Sequence, residues 1–335
     1  MEKPTVRISV RNLVEFILRE GDIDSRRGAM DKEAMQKGSR LHRKIQGRQE
    51  GTYRAEVSLK WKSEYEDVII LVEGRADGIF MEEGETFIDE IKGILTNLEN
   101  IKEPMSVHLA QAKCYARIYG EMEECSRIGI QMTYGNLETE EIKYFRQEYS
   151  MEELKQWYAG LLDEYHKWIS YQLKWRKERN HSMKNLDFPF PYREGQRRMV
   201  SSVYHAISEK KQIFIQAPTG VGKTMSTIFP SVRAVGEGKG ETVFYLTAKT
   251  ITRTVAEEAF EILRSKGLKF KSVTITAKDK ICPFQEAECN PDNCPYAKGH
   301  YDRINDAVYE LWVEENAYSR EKLLEQAEKW KVCPL

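Results

Sequence analysis

Long apolar runs are missing from this chain. The strongest, Val68-Ile69-Ile70-Leu71-Val72, falls far short of the roughly 20 residues that cross a bilayer, so neither a transmembrane helix nor a membrane partner is expected. An export signal is missing too: Met1 to Val10 mixes charged with apolar side chains and has no hydrophobic stretch before a small-residue cleavage site. A cytoplasmic protein is expected. Neither sign of charge is in excess, with 52 Lys plus Arg against 53 Asp plus Glu and a net charge of -1, so any basic surface must be local. Cysteine is scarce, six in 335 residues, which excludes a disulfide-stapled scaffold. Internal repeats and low-complexity tracts are absent as well.

What is present is an ordinary globular composition, 41% apolar and 31% charged, in a length that holds about two domains at roughly 150 residues each. Arg7 to Arg19 and Lys32 to Gln46 carry apolar residues at helical spacing. From Tyr53 to Trp61 the side chains alternate, as in a half-buried strand. Further strands are expected at Val68 to Val72, Arg75 to Met81 and Thr86 to Lys92, the last two joined by a turn at Glu82-Glu83-Gly84-Glu85. A helix near Ser106 to Tyr119 and strands near Arg127 to Thr133 and Glu141 to Phe145 complete a compact α/β unit over 1–150. A helical connector and linker follow over 151–185, ending in a segment with Pro189 and Pro191 just beyond. From Glu194 on, helices alternate with apolar segments at Gln212 to Gln216 and Thr242 to Thr247, the pattern of a parallel sheet.

In the first unit, residues two apart on a strand share a face. Glu90 and Lys92 therefore project together while Ile91 enters the core, and the hairpin brings Asp77 beside Glu90. Two carboxylates facing one lysine fit Mg²⁺ or Mn²⁺, which activates water for attack on phosphorus, with the lysine placed to steady developing negative charge. Around them stand His42 in Gly38-Ser39-Arg40-Leu41-His42, Glu56 on the alternating strand, and Gln111 and Tyr115 one helical turn apart. In order and spacing these residues resemble the RecB-type branch of the PD-(D/E)xK nucleases over about 1–150. The resemblance implies a restriction-endonuclease-like fold, with Asp77 and Glu90 as metal ligands, His42 a ligand or beside the metal, Lys92 the catalytic lysine, and Gln111 and Tyr115 supporting substrate and metal. Relatives that staple this domain with an iron-sulfur cluster use four cysteines, which Cys114 and Cys125 cannot supply; these two read as buried small side chains.

The second unit carries Ala217-Pro218-Thr219-Gly220-Val221-Gly222-Lys223-Thr224 between an apolar segment and a helix. Gly220 and Gly222 let backbone amides curl around phosphates, the helix N-terminus adds positive potential, Lys223 reaches the terminal phosphates and Thr224 is placed for Mg²⁺. With Ala217 in place of the first glycine, the loop resembles that of superfamily 2 helicases. The resemblance extends to Gln196 as an adenine contact for ATP and to Thr247-Ala248-Lys249-Thr250 as a holder of the single-strand backbone, for which a helix cap by Thr250 is the competing reading.

Four cysteines follow, Cys282, Cys289, Cys294 and Cys333, separated by 6, 4 and 38 residues. Four such thiolates can hold a [4Fe-4S] cluster or zinc, with free buried thiols as a third reading, and the spacing does not choose among them. Cys282-Pro283-Phe284, Cys289-Asn290-Pro291 and Cys294-Pro295 with Tyr296 to Arg303 resemble the cluster domain of DinG and XPD type helicases. That resemblance implies a [4Fe-4S] cluster, a partial RecA-like motor over 186–281 with its iron-sulfur insert over 282–335, and 5′ to 3′ unwinding of single-stranded or forked DNA. No acidic DEAH-type motif follows, so a fragment of a longer nuclease-helicase is expected, with weak nucleotide binding at most in this chain. A non-catalytic DNA-binding adaptor and a zinc-containing P-loop NTPase are the alternatives. Protein partners are not legible.

Overall fold

The computed structural model describes residues 3–26, 32–247, 250–284 and 288–335. They form a mixed α/β chain that divides into two compact units, residues 1–170, 277–310 and 323–335 on one hand, 171–276 and 311–322 on the other. Among the described residues no helix is long and apolar enough to cross a membrane.

The first unit is built on a six-stranded sheet. It opens with β1 (Thr5–Ser9) and α1 (Val10–Ile17), whose N-cap Ser9 accepts the Asn12 amide. A single helix was expected over Arg7 to Arg19. The first residues instead pair in parallel with Ile69–Glu73, because Val6, Ile8 and Val10 also alternate and a neighbouring strand decides between the two periods. After α2 (Lys32–Gln46) come β2 (Arg54–Glu64), β3 (Ile69–Glu82) and β4 (Glu85–Ile94), all antiparallel neighbours through β3. The two strands expected at 68–72 and 75–81 are thus one. α3 (Ser106–Met122) leads to β5 (Arg127–Asn136), parallel to β4, and β6 (Ile142–Ser150), antiparallel to β5. Ile70, Val72, Ile79, Ile88, Ile91, Ile130 and Met132 are fully buried, each contributing roughly 1.5–3 kcal/mol. Ile91 meets Leu41 and Ile45 of α2, while α3 buries Ala110, Cys114 and Ile118.

α4 (Met151–Lys184) begins in the first unit and ends in the second. There α5 (Gln196–Ser208), α6 (Lys223–Gly236) and α7 (Thr250–Ser265) follow, with Met225, Ile228, Phe229, Val232, Phe260 and Leu263 in the core. β7 (Ser272–Val273) precedes α8 (Lys278–Ile281) and α9 (His300–Glu314); β8 (Ala317–Tyr318), parallel to β7, precedes α10 (Arg320–Trp330). The strands expected at Gln212 to Gln216 and Thr242 to Thr247 are not formed: neither segment is paired, and Phe214, Phe244 and Leu246 are exposed. An extended segment becomes a strand only when a neighbour accepts its hydrogen bonds, and β7, two residues long, pairs with β8 instead.

Candidate functional site

The turn between β3 and β4 places Glu83 and Gly84 at φ 52° and 86°, the left-handed pair that a tight hairpin requires. From it the strands pair back to Gly78 opposite Asp89, while β1 accompanies β3 only as far as Glu73. On the edge of β3 that those two partners share, a stretch ending at Asp77 has no ladder partner, while β2 pairs along the other edge. Asp77 fills the missing ladder bond with its side chain: Oδ2 accepts the Ile91 amide at 2.8 Å, and Oδ1 lies 3.6 Å from His42 Nδ1 on α2. Two residues apart on β4, Glu90 Oε1 and Lys92 Nζ are 2.8 Å apart, and Lys92 also donates to Gln111 Oε1 at 2.6 Å. Tyr115 bonds the Arg75 backbone. A Cβ on Gly74 would fall 2.7 Å from its hydroxyl, so the missing side chain makes Tyr115's place. The structure therefore brings together His42, Asp77, Glu90, Lys92, Gln111 and Tyr115.

Glu56 marks the same point from the other edge. Ala55 and Val57 pair with Gly78 and Ala76, but Glu56, opposite Asp77, stands at φ 57°, a left-handed conformation that costs a side-chain-bearing residue roughly 1–2 kcal/mol. Gln46 Nε2 bridges the gap, donating to the Asp77 carbonyl at 2.9 Å and to Glu56 Oε1 at 3.0 Å.

Burial sets the electrostatics. Glu90 is 4% exposed; desolvation pushes its carboxyl up to about 7, with Lys92 opposing and Asp77 assisting. Burial works against a charged His42, but the hydrogen bond and charge of Asp77 outweigh it and raise its pKa. Tyr115 is held well above the usual phenol range by burial and by Glu90. Among the described residues no group of three or more His, Cys, Asp or Glu side chains is arranged to hold a metal ion. The donor types nonetheless suit a hard divalent cation, two carboxylates with an imidazole alongside, and Glu90 Oε2 is buried with no hydrogen-bond partner.

Asp89, to which the sequence assigned no role, anchors the reverse side of β4. It is fully buried and accepts from Tyr53 Oη at 2.9 Å, from Gln131 Nε2 at 3.2 Å and from the Thr133 hydroxyl. Desolvation raises its pKa against these three bonds. The Tyr53 ring lies across Gly78, where a Cβ would come within 2.0 Å of its hydroxyl.

In the second unit, Gly220 and Gly222 stand at φ 84° and 78°, and Gly222 caps α6. Lys223 Nζ donates to the carbonyls of Ala217 and Pro218, both at 2.9 Å. Thr219 is exposed, and Thr224 follows Lys223 in the first turn of α6, its carbonyl accepting from Thr227 Oγ1. Buried Gln196 abuts the loop, its Nε2 2.5 Å from where a Gly222 Cβ would stand. Ala248 and Lys249 lie outside the described residues.

Cys282, Cys289, Cys294 and Cys333 all belong to the first unit. They share one neighbourhood: burial raises the Cys333 thiol, and Cys289, Cys294 and Cys282 add to the rise. Residues 21–26 strap this stretch down. The Ser25 amide donates to the Cys289 carbonyl at 2.8 Å, Ile23 to the Ala297 carbonyl at 3.0 Å, and Arg26 pairs with Asp292 at 2.7 Å. Cys114 is fully buried and Cys125 partly so.

With this geometry in view, similarity to known proteins can be placed on it. Residues 193–317 match the profile of the DEAD/DEAH box helicase family. The match takes in the phosphate loop and three of the four cysteines. A probable ATP-dependent helicase of Methanocaldococcus jannaschii is 44% identical over 113 residues, which are 33% of this chain and 17% of that relative. A solved structure titled "Crystal structure of SSO0001" aligns over 48% of this chain and 77% of its own at 17% identity and a TM-score of 0.29.

Proposed function

We propose that the chain joins a metal-dependent DNA nuclease to part of an ATP-dependent helicase. The observation that carries the nuclease half is the convergence of Asp77, Glu90 and Lys92, with Gln111 fixing the lysine. Asp77 and Glu90, with His42 beside them, would hold Mg²⁺ or Mn²⁺, which supplies an activated water and a Lewis acid at the phosphate. Lys92 neutralises charge growing on the phosphate oxygens, a role for which its second tether to Gln111 orients it. Asp89 and its three donors keep β4 from shifting, so Glu90 and Lys92 hold their register.

Support for the helicase half comes from the family match over 193–317, with Gly220, Gly222, Lys223 and Thr224 as the ATP phosphate site and Gln196 as the adenine contact. Unwinding in the 5′ to 3′ direction on single-stranded or forked DNA belongs to this reading, as does a [4Fe-4S] cluster on Cys282, Cys289, Cys294 and Cys333. Soft thiolates suit such a cluster, and its contribution is structural. The test of the whole is incubation of the purified chain with end-labelled single-stranded and forked DNA, with Mn²⁺ or with EDTA. Cutting in Mn²⁺ alone supports the nuclease; no cutting in either leaves a DNA-binding adaptor.

A further inference from the structure

One histidine on the site-facing side of α3 has no part in that reading. His108 precedes Gln111 by three residues and Tyr115 by seven, which puts all three on one helical face. Its Nδ1 lies 3.1 Å from the hydroxyl of Tyr134, and that hydroxyl accepts the Met105 amide at 3.0 Å. A phenol that accepts from an amide still has its own proton to give, and His108 Nδ1 is the acceptor within reach. With the phenol as donor, Nδ1 accepts and Nε2 carries the proton, the tautomer that this relay favours. Tyr134 is fully buried on β5, so water does not compete for this bond. Among the described residues Nε2 has no partner of its own.

The charges around the ring are of one sign. Burial, then Lys92, then Arg11 of α1 all disfavour the imidazolium and lower its pKa to about 4, so at neutral pH the ring is an uncharged donor in the field of two cations. Arg11 is paired with Glu15 at 2.7 Å, but both are exposed, and such a pair is worth little and opens readily.

We propose that Lys92, His108 and Arg11 form a track for the sugar-phosphate backbone of a single nucleic-acid strand, with His108 Nε2–H donating to a nonbridging phosphate oxygen next to the reacting one. The proposal rests on the nuclease reading for the site at its Lys92 end. Cations beside a neutral donor suit a phosphate backbone, where the cations supply affinity and the donor fixes register. No base is read, so the track is indifferent to sequence.

The test measures binding of a fluorescent single-stranded DNA oligonucleotide by anisotropy in EDTA, where cutting is prevented. His108→Phe, which keeps the ring and loses the donor, and Arg11→Ala are each expected to weaken binding about tenfold. His108→Gln, which restores an N–H, should lie within about threefold of wild type. Lys62→Ala, an exposed lysine of β2, serves as control and should bind as wild type. Arg11→Ala should also flatten the dependence of log affinity on log salt by about one. ¹⁵N-histidine spectra give an independent readout: the Nε2–H tautomer is expected for His108 at neutral pH. Wild-type binding by His108→Phe, or an Nδ1–H tautomer, overturns the proposal. Should His108→Phe fail to fold, Arg11→Ala on the surface and the tautomer decide. Failure of the nuclease reading looks different: the chain binds the strand, the variants bind it less, and nothing is cut when Mn²⁺ is added.

Discussion

The Lys92 ammonium stands 2.8 Å from Glu90 Oε1, and the pair is lopsided in its access to water: the lysine side chain is 22% exposed, the glutamate 5%. A carboxylate so placed is expensive to ionise, and its lysine offsets part of the cost.

A first consequence concerns stability. Because the Glu90 carboxyl is raised from 4.5 to about 7, the folded state binds this proton more tightly than the unfolded chain does. Its contribution to stability is therefore full below pH 4.5, declines as pH rises to about 7, and is lost above that. Glu90→Gln removes the ionisation, leaves Lys92 its bond to Gln111, and is expected to stabilise the metal-free chain at pH 8 by roughly 1–3 kcal/mol. The same variant should not cut DNA. Thermal melting across pH 5 to 8 in EDTA checks it; a variant less stable than wild type at pH 8 contradicts the assignment of Glu90 as a strained site residue.

Gly78 carries a second prediction. Gly78→Ala drives a methyl into the Tyr53 ring and pulls its hydroxyl from Asp89, at an expected cost of about 2–4 kcal/mol. Gly38→Ala, in mid-helix with open space around it, should instead gain about 0.5–1 kcal/mol. Urea unfolding of the two variants gives the comparison, and equal stabilities would remove Tyr53 and Asp89 from the account of how β4 is held.

The readable part of the site was the part written in local spacing. Glu90 and Lys92 at i and i+2 and Gln111 and Tyr115 at i and i+4 follow from strand and helix periods, and the turn at Glu82-Glu83-Gly84-Glu85 from its composition, though not its left-handed backbone. The parts that escaped depend on partners distant in sequence. Local pattern leaves Thr5–Ser9 open between helix and strand, since the ladder that decides it lies at Ile69–Glu73. Nothing local says that β3 runs unbroken through Gly74, which is glycine because Tyr115 occupies the space. His108 was findable from its place three residues before Gln111, but its Nδ1 partner, Tyr134, lies on a strand distant in sequence. The reverse error arose at Gln212 to Gln216, where a strand-like pattern finds no pairing neighbour among the described residues.

At the phosphate loop, Lys223 now rests on the Ala217 and Pro218 carbonyls, a position that bound phosphate oxygens would compete for. A fluorescent ATP analogue should bind weakly, and Lys223→Ala should lower that affinity at least about tenfold. Titrations that superimpose for the two proteins would detach this loop from nucleotide binding.

The cysteines make a prediction about composition. Anaerobically purified chain should contain about four iron and four sulfide per molecule, and Cys282→Ser should lose them. Because residues 21–26 strap the cysteine stretch down, that loss should also lower the melting temperature. Zinc without iron would exclude the cluster and leave the zinc reading.

The central claim is that Asp77, Glu90 and Lys92 form one metal-dependent cutting site, and the rate of single-stranded DNA cleavage by Asp77→Ala tests it most directly. Wild type should cut in Mn²⁺ and not in EDTA, and Asp77→Ala, folded as judged by its melting curve, should cut at least about 100-fold more slowly. Cleavage by Asp77→Ala at the wild-type rate, or none by wild type, would contradict it.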